Sequence, residues 1–248
     1  MWRLLLTSCL LCWSCEGIRV SCKDESNHDV DWYIIYKGPA GLSYIFIDPS
    51  GQVTKKNNIN SPTGALAYTL QPIFTPIRRM EQNFGFISYS DQPPGCQADF
   101  RQFGHSKGVL MVDKTRTGVW LLHSTPQFPY RRNENNFWPP SGLKKGQIFI
   151  CATFKYNEFK NIGKHLQYIG AFPYEHDIPD SFHDELKHAV QWTKLTPPTS
   201  DFPTLTSDQG TTFKAIPKQQ SNTEEDGDLY YTIAKDLKSD MLVQVWGN

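Results

Sequence analysis

The chain has 248 residues, with 25 Lys+Arg against 25 Asp+Glu and 39% apolar residues. That is enough apolar content for a real core in one large or two small domains, and the zero net charge excludes both a polybasic nucleic-acid tail and a strongly acidic disordered chain. The balance is uneven, because residues 1–100 sum to −1, residues 101–164 to +8 and residues 165–248 to −7. Imidazoles charge as pH falls below ~6.5. His105 and His123 lie within the basic middle and His165 just after it, so acid is expected to make this region more positive. The neutral sum excludes only a nucleic-acid partner held by bulk charge at neutral pH.

Residues 1–17 carry Arg3, an apolar run from Leu4 to Trp13, and small or polar residues to Gly17. This pattern reads as a secretory signal peptide, too short in its apolar part to span a bilayer, where ~20 residues are needed. Cys9, Cys12 and Cys15 would leave with it, so their Cys-x-x-Cys spacing is not read as a metal or redox motif. Residues 18–248 form the expected mature domain, with no later membrane span. They keep Cys22, Cys96 and Cys151. An oxidising compartment favours one disulfide and one unpaired thiol among the three, and spacing alone does not choose the pair. Asn60-Ser61-Pro62 and Asn222-Thr223-Glu224 both fail the Asn-x-Ser/Thr rule, so N-glycosylation is not expected.

The first strand is predicted over residues 31–36, followed by a Gly/Pro turn at 38–41 and a second strand over 44–47, which suggests a hairpin. Ser61-Pro62 reads as an N-cap with proline at the first helical position, backed by the stripe Leu66, Leu70 and Ile73. Further strands are predicted over 85–89, 109–112, 119–122 and 148–154, with a long surface loop at 126–145 rich in Pro, Asn and Arg. Helices are predicted over 157–167 and 181–192. The Pro-rich 197–203 breaks the pattern, and the polar, acidic 217–228 reads as flexible. A last helix over 229–238 precedes a strand over 242–246. Interleaved strands and helices without a repeat give a mixed α/β fold.

Gly104-His105-Ser106-Lys107-Gly108 is the most informative stretch. It matches the Gly-x-Ser-x-Gly nucleophile elbow, but that motif needs a strand before the serine and a helix after it. Here a β-type run, Val109-Leu110-Met111-Val112, follows Ser106, so a serine hydrolase is disfavoured. The other reading pairs His105 with Lys107. On a strand, residues i and i+2 share a face, so an imidazole and an ammonium converge on one small anion. The imidazole serves as nucleophile or proton donor, the ammonium neutralises phosphate charge in the transition state, and the flanking glycines admit a substrate.

Several stretches together resemble the deoxyribonuclease II family of lysosomal acid endonucleases. They are Val30-Asp31-Trp32 with Tyr36-Lys37, Ser61-Pro62-Thr63-Gly64-Ala65, Tyr89-Ser90-Asp91-Gln92-Pro93-Pro94 and Gly104 to Leu110. The series continues with Trp120-Leu121-Leu122-His123-Ser124-Thr125-Pro126-Gln127-Phe128-Pro129 and Gly163-Lys164-His165-Leu166. The likeness runs in order from about Cys22 to Trp246. It implies a phospholipase D-like mixed-sheet α/β sandwich with two His-x-Lys motifs at one site. It also implies metal-independent DNA cleavage in acid that leaves 3′-phosphate ends through a phosphohistidine, with no cofactor. His105 and Lys107 match the first motif, with His105 as nucleophile. His123 is similar to a site histidine there, as a substrate-phosphate contact or as a strand-end residue that organises the loop. Asp113 lies one position past the superfamily spacing and is given no catalytic role. Cys22 and Cys151 match a family disulfide, which leaves Cys96 unpaired.

The second His-x-Lys lies in a C-terminal part of the family that is expected to be absent here. His176, His183 and His188 are not followed two places on by Lys, and the 183–188 spacing fails as His-Glu-x-x-His. A homodimer sharing motifs, or a catalytically silent DNA-binding or interaction protein of the same fold, are the expectations that follow. The resemblance places the protein in the lysosome through the secretory pathway, or outside the cell. Base preference is not legible.

Overall fold

The computed structural model describes residues 19–98, 103–198, 200–218 and 228–243. The signal peptide at 1–17, residues 244–246 of the last expected strand, and most of the acidic 217–228 segment lie outside these residues. No helix among the described residues is long and apolar enough to cross a membrane.

In chain order the strands are β1 (Cys22–Lys23), β2 (Asp29–Val30), β3 (Trp32–Lys37), β4 (Tyr44–Ile47) and β5 (Val53–Lys56), followed by helix α1 (Ala65–Phe74). Next come β6 (Phe84–Ser90), β7 (Lys107–Asp113), β8 (Thr117–His123), β9 (Gln147–Lys155), α2 (Phe159–Tyr168), β10 (Pro173–Asp177) and α3 (Asp184–Val190). The short hairpin β11 (Thr204–Thr206) and β12 (Thr212–Lys214) precedes α4 (Leu229–Leu237). Eight strands form one sheet in the order β10-β6-β7-β8-β9-β3-β4-β5, every neighbour antiparallel. The expected mixed sheet is therefore corrected to an antiparallel one. Five of the seven neighbour pairs, β3-β4, β4-β5, β6-β7, β7-β8 and β8-β9, are strands consecutive in the chain, which reverses between them without a crossover helix of the kind that parallel pairs need.

Both faces of this sheet are covered. Tyr33, Ile35, Phe86, Val109, Met111, Leu121 and Phe149 pack under α1, which contributes Leu66, Leu70 and Ile73. The opposite face carries Ile87, Tyr89, Leu110, Val112, Trp120 and Phe154 against Phe159, Ile162 and Leu166 of α2 and Leu186 of α3. Two-sided burial explains why β7 reads as an uninterrupted apolar run rather than an alternating one. A disulfide joins Cys22 on β1 to Cys151 on β9, with Cα atoms 6.0 Å apart, and Cys96 is free and exposed.

Three expectations change. Ser61 caps a turn, not the helix: its Oγ accepts from the Thr63 amide at 3.2 Å, and α1 begins at Ala65 behind Gly64. The residues at 242–243 are not in a strand. The 126–145 segment is a loop with residues 131, 133–136, 140 and 143–145 exposed, but it is pinned to the core rather than lying only on the surface. Its Phe128, Phe137 and Trp138 are buried: Phe128 and Trp138 pack on Phe149 and on each other, and Phe137 packs on Phe128, with ring centroids 5.2–6.2 Å apart. Three aromatic anchors outweigh the polar residues between them, because each buries on the order of 150–250 Å². Replacing Phe128 with Ala should cost about 3–5 kcal/mol of unfolding free energy in urea titrations, since the cavity opens beneath the whole plug.

Candidate functional site

The pairing of β6 with β7 sets Ser90 opposite Lys107. Asp91 therefore leaves the end of β6 beside the residues that enter β7, and its amide bonds the Ser106 carbonyl at 3.3 Å. The Asp91 carboxylate spans both halves of the His-x-Lys. Oδ2 lies 2.6 Å from His105 Nδ1, and Oδ1 accepts from Lys107 Nζ at 2.6 Å. The side chains of Lys107 and Asp91 are only 3% and 7% exposed, whereas that of His105 is 82% exposed. A carboxylate only accepts, so Nδ1 is the donor in this contact, and the other ring nitrogen, Nε2, is the one turned away from Asp91.

His105 and Lys107 thus converge, but not as two residues of one strand. Lys107 opens β7, and His105 sits in the bend before it. Asp91 was missed by sequence reasoning. Its signal was an acidic residue between a strand-like run and a Pro-Pro pair, a common way to end a strand and aim a side chain off its tip. The flanking glycines serve packing, which corrects their assignment to substrate approach. A Cβ on Gly104 would collide with the Ile169 carbonyl, and one on Gly108 with the Tyr89 hydroxyl. Ser106 is followed directly by β7, so no strand–turn–helix elbow presents it, and its buried Oγ has no partner among the described residues.

His123 ends β8 one residue beyond the Gly108–Leu122 pair, which brings it opposite Lys107. It is buried, with its ring 4.9 Å from Phe128 edge-on and 5.7 Å from Phe149 stacked. Burial first, and then the Lys107 charge, push it down to about 3, against a smaller opposing pull from the Thr125 backbone. Neither ring nitrogen makes a hydrogen bond of standard geometry. In this conformation the ring is packed within the aromatic cluster of Phe128 and Phe149. Burial also pushes His165, beside Trp120 on the other face, down to about 4. The expectation that acid charges the middle segment through His123 and His165 is corrected, because both stay neutral at pH 5.

Nor does the basic middle form one surface. Lys107 and Lys145, whose carbonyl accepts from Lys37 next to the start of β9, belong to the His105 end of the sheet, whereas Arg132 lies over Phe86, midway along it, and donates to the Ile73 and Thr75 carbonyls. Lys114, Arg116 and Lys155 line an open cleft with Arg19 at the other end. Asp113 is at that far end too, roughly 20 Å along β7 from Lys107 at ~3.3 Å per residue. It accepts from the Thr115 amide and hydroxyl as a turn residue. A second buried lysine, Lys37, enters the site end from β3 and donates to the carbonyls of Leu143 and Lys145 at 3.2 and 2.9 Å. No three His, Cys, Asp or Glu side chains among the described residues are grouped to hold a metal ion.

His123 and His165 bind protons less readily folded than unfolded, so their contribution to stability is complete above ~6.5 and falls as pH drops toward about 4 and about 3. Urea unfolding at pH 7.5 and pH 5 should show about 2 kcal/mol lost per histidine. A His165→Gln variant should flatten that pH dependence by its share. An unaltered slope would show that the ring is charged in the fold.

A family model described as Deoxyribonuclease II matches residues 21–248. Deoxyribonuclease-2-alpha of Rattus norvegicus is 32% identical over 98% of this chain and 73% of its own length. Deoxyribonuclease-2-beta of Homo sapiens is 32% identical over 92% of this chain and 66% of its own length, and Plancitoxin-1 of Acanthaster planci is 32% identical over 92% and 68%. The chain thus spans about two thirds to three quarters of the length of these relatives. With a match across nearly every described element, the chain belongs to the deoxyribonuclease II family.

Proposed function

We propose that the chain carries the nucleophilic half of a metal-independent acid endonuclease site that cuts DNA phosphodiester bonds. The observation that supports this is the shared carboxylate of Asp91, which holds His105 by Nδ1, with Nε2 as its outer nitrogen, beside a desolvated ammonium. Nε2 attacks phosphorus, a P–N bond forms and the P–O5′ bond breaks. Lys107 neutralises charge on the phosphoryl oxygens, and Asp91 stabilises the ring as it becomes cationic. Water then cleaves the P–N bond and leaves a 3′-phosphate. Asp91 acts here as a positioning residue. The leaving 5′-oxygen needs a proton, which we assign to a second His-x-Lys from outside these 248 residues, on a second copy of the chain or on further chain. The site would sit on a phospholipase D-like sandwich spanning residues 18–248. The leader-like residues 1–17 and the disulfide support a secretory route to the lysosome or the exterior.

The sequence has one His-x-Lys, and this favours a second reading, a DNA-binding protein of the same fold that does not cut. Nicking of supercoiled plasmid at about pH 5 in EDTA separates the two. On the endonuclease reading His105→Ala abolishes nicking and Asp91→Asn lowers it by about 10²- to 10⁴-fold, with 3′-phosphate ends on the products. Retained DNA binding with no nicking by the parent chain would support the second reading.

A further inference from the structure

After α3 the amides of Trp192 and Thr193 return to the carbonyls of Ala189 and His188 at 3.3 and 3.1 Å, and Trp192 sits at φ 63°. This left-handed position past a helix end ordinarily takes glycine or asparagine, and a bulky side chain there is strained. Strain of this kind is retained where a side chain has to be aimed. The indole is 51% exposed, yet its orientation is fixed by two half-buried rings. Phe172 lies 5.3 Å away and Phe103 5.5 Å edge-on, and these two rings are 4.7 Å apart. Lys194 Nζ lies 5.4 Å from the Phe103 centroid.

The cluster is attached to the dyad from both sides. Phe103 precedes His105 by two residues, a reach of at most ~7 Å, and Gly104 between them is fixed by its amide to the Gly170 carbonyl at 3.1 Å. The Phe172 carbonyl accepts from the amide of Ser90, the residue before Asp91, at 2.9 Å. A half-exposed indole on an aromatic bed, with the Lys194 ammonium over the Phe103 ring and His105 two residues from Phe103, matches the chemistry of an unpaired nucleobase, whose faces stack without regard to identity.

We propose that Trp192, backed by Phe103 and Phe172, is a stacking subsite for an unpaired base of the DNA strand near the phosphate at His105. The proposal rests on the nuclease reading of that histidine. A duplex keeps its base faces stacked internally, so the subsite favours single-stranded, frayed or extruded substrate.

Binding is measured in a His105→Ala background, so that no strand is cut, as the anisotropy of a fluorescein-labelled single-stranded oligothymidylate at about pH 5. Trp192→Gly removes the ring and suits the backbone, so it should melt no lower than the parent. It should weaken binding by about 5- to 150-fold, the equivalent of ~1–3 kcal/mol for one stacked base. Trp192→Phe should restore most of the affinity, and an oligonucleotide of abasic residues should not distinguish the variants. Equal affinity of the Gly variant and the parent for oligothymidylate overturns the subsite. So does a Gly variant whose only change is a shift from dimer to monomer in sedimentation, which would assign the ring to a contact between copies. Loss of oligothymidylate affinity without nicking by the parent chain would leave the subsite standing and remove the nuclease reading.

Discussion

The seven-residue pairing of β6 with β7 is the constraint on which the site depends. Because Ser90 faces Lys107, Asp91 must leave its strand where His105 and Lys107 enter theirs, and a single carboxylate can hold both. A one-residue slip would turn Lys107 to the other face of the sheet, toward Tyr89 and Trp120. Register is strongly fixed because β7 packs on both faces, with Val109 and Met111 under α1 and Leu110 and Val112 under the α2–α3 layer. The core thereby sets the geometry of the polar site.

Charge at this end of the sheet is held in two ways. Lys107 is desolvated but faces a carboxylate, which repays part of its burial. Lys37 is also buried, and its donors go to two backbone carbonyls of the segment that carries Trp138. Burial lowers its proton affinity. The contrast gives the lysines different work: one is poised beside an exposed imidazole, and the other ties the 126–145 segment to β3. That segment in turn walls off His123 with Phe128 and Phe149. Acid therefore adds little charge through the buried rings, which oppose protonation, while His105, exposed on the rim, stays open to solvent.

Much of the sheet was legible. Residues 44–47 form β4 with those same bounds, and the cores of β3, β6, β7, β8 and β9 were found within one or two residues, because two-sided burial leaves dense apolar runs. The short edge strands were not legible. β5 reads Val-Thr-Lys-Lys and β10 reads Pro-Tyr-Glu-His-Asp, compositions that become strands only through hydrogen bonds from a neighbour already in place. The polar 126–145 segment is the surface loop its composition suggested over only part of its length, since its few aromatics decide where it packs and its many polar residues decide only what faces water.

The sequence by itself determined that residues 105 and 107 carry an imidazole and an ammonium two positions apart, that the chain is a mixed α/β fold, and which family it resembles. Those are properties of spacing and composition. Only the tertiary structure decided that Asp91, 14 residues before His105, joins them, that His123 is shut inside the plug, that the flanking glycines pack rather than receive substrate, and that Trp192 stands beside the dyad. The reason is the same in each case. The net charge of zero and the +8 segment are sums over the chain, but antiparallel reversals send neighbouring residues to opposite ends of the sheet. Strand register then selects which distant side chains meet.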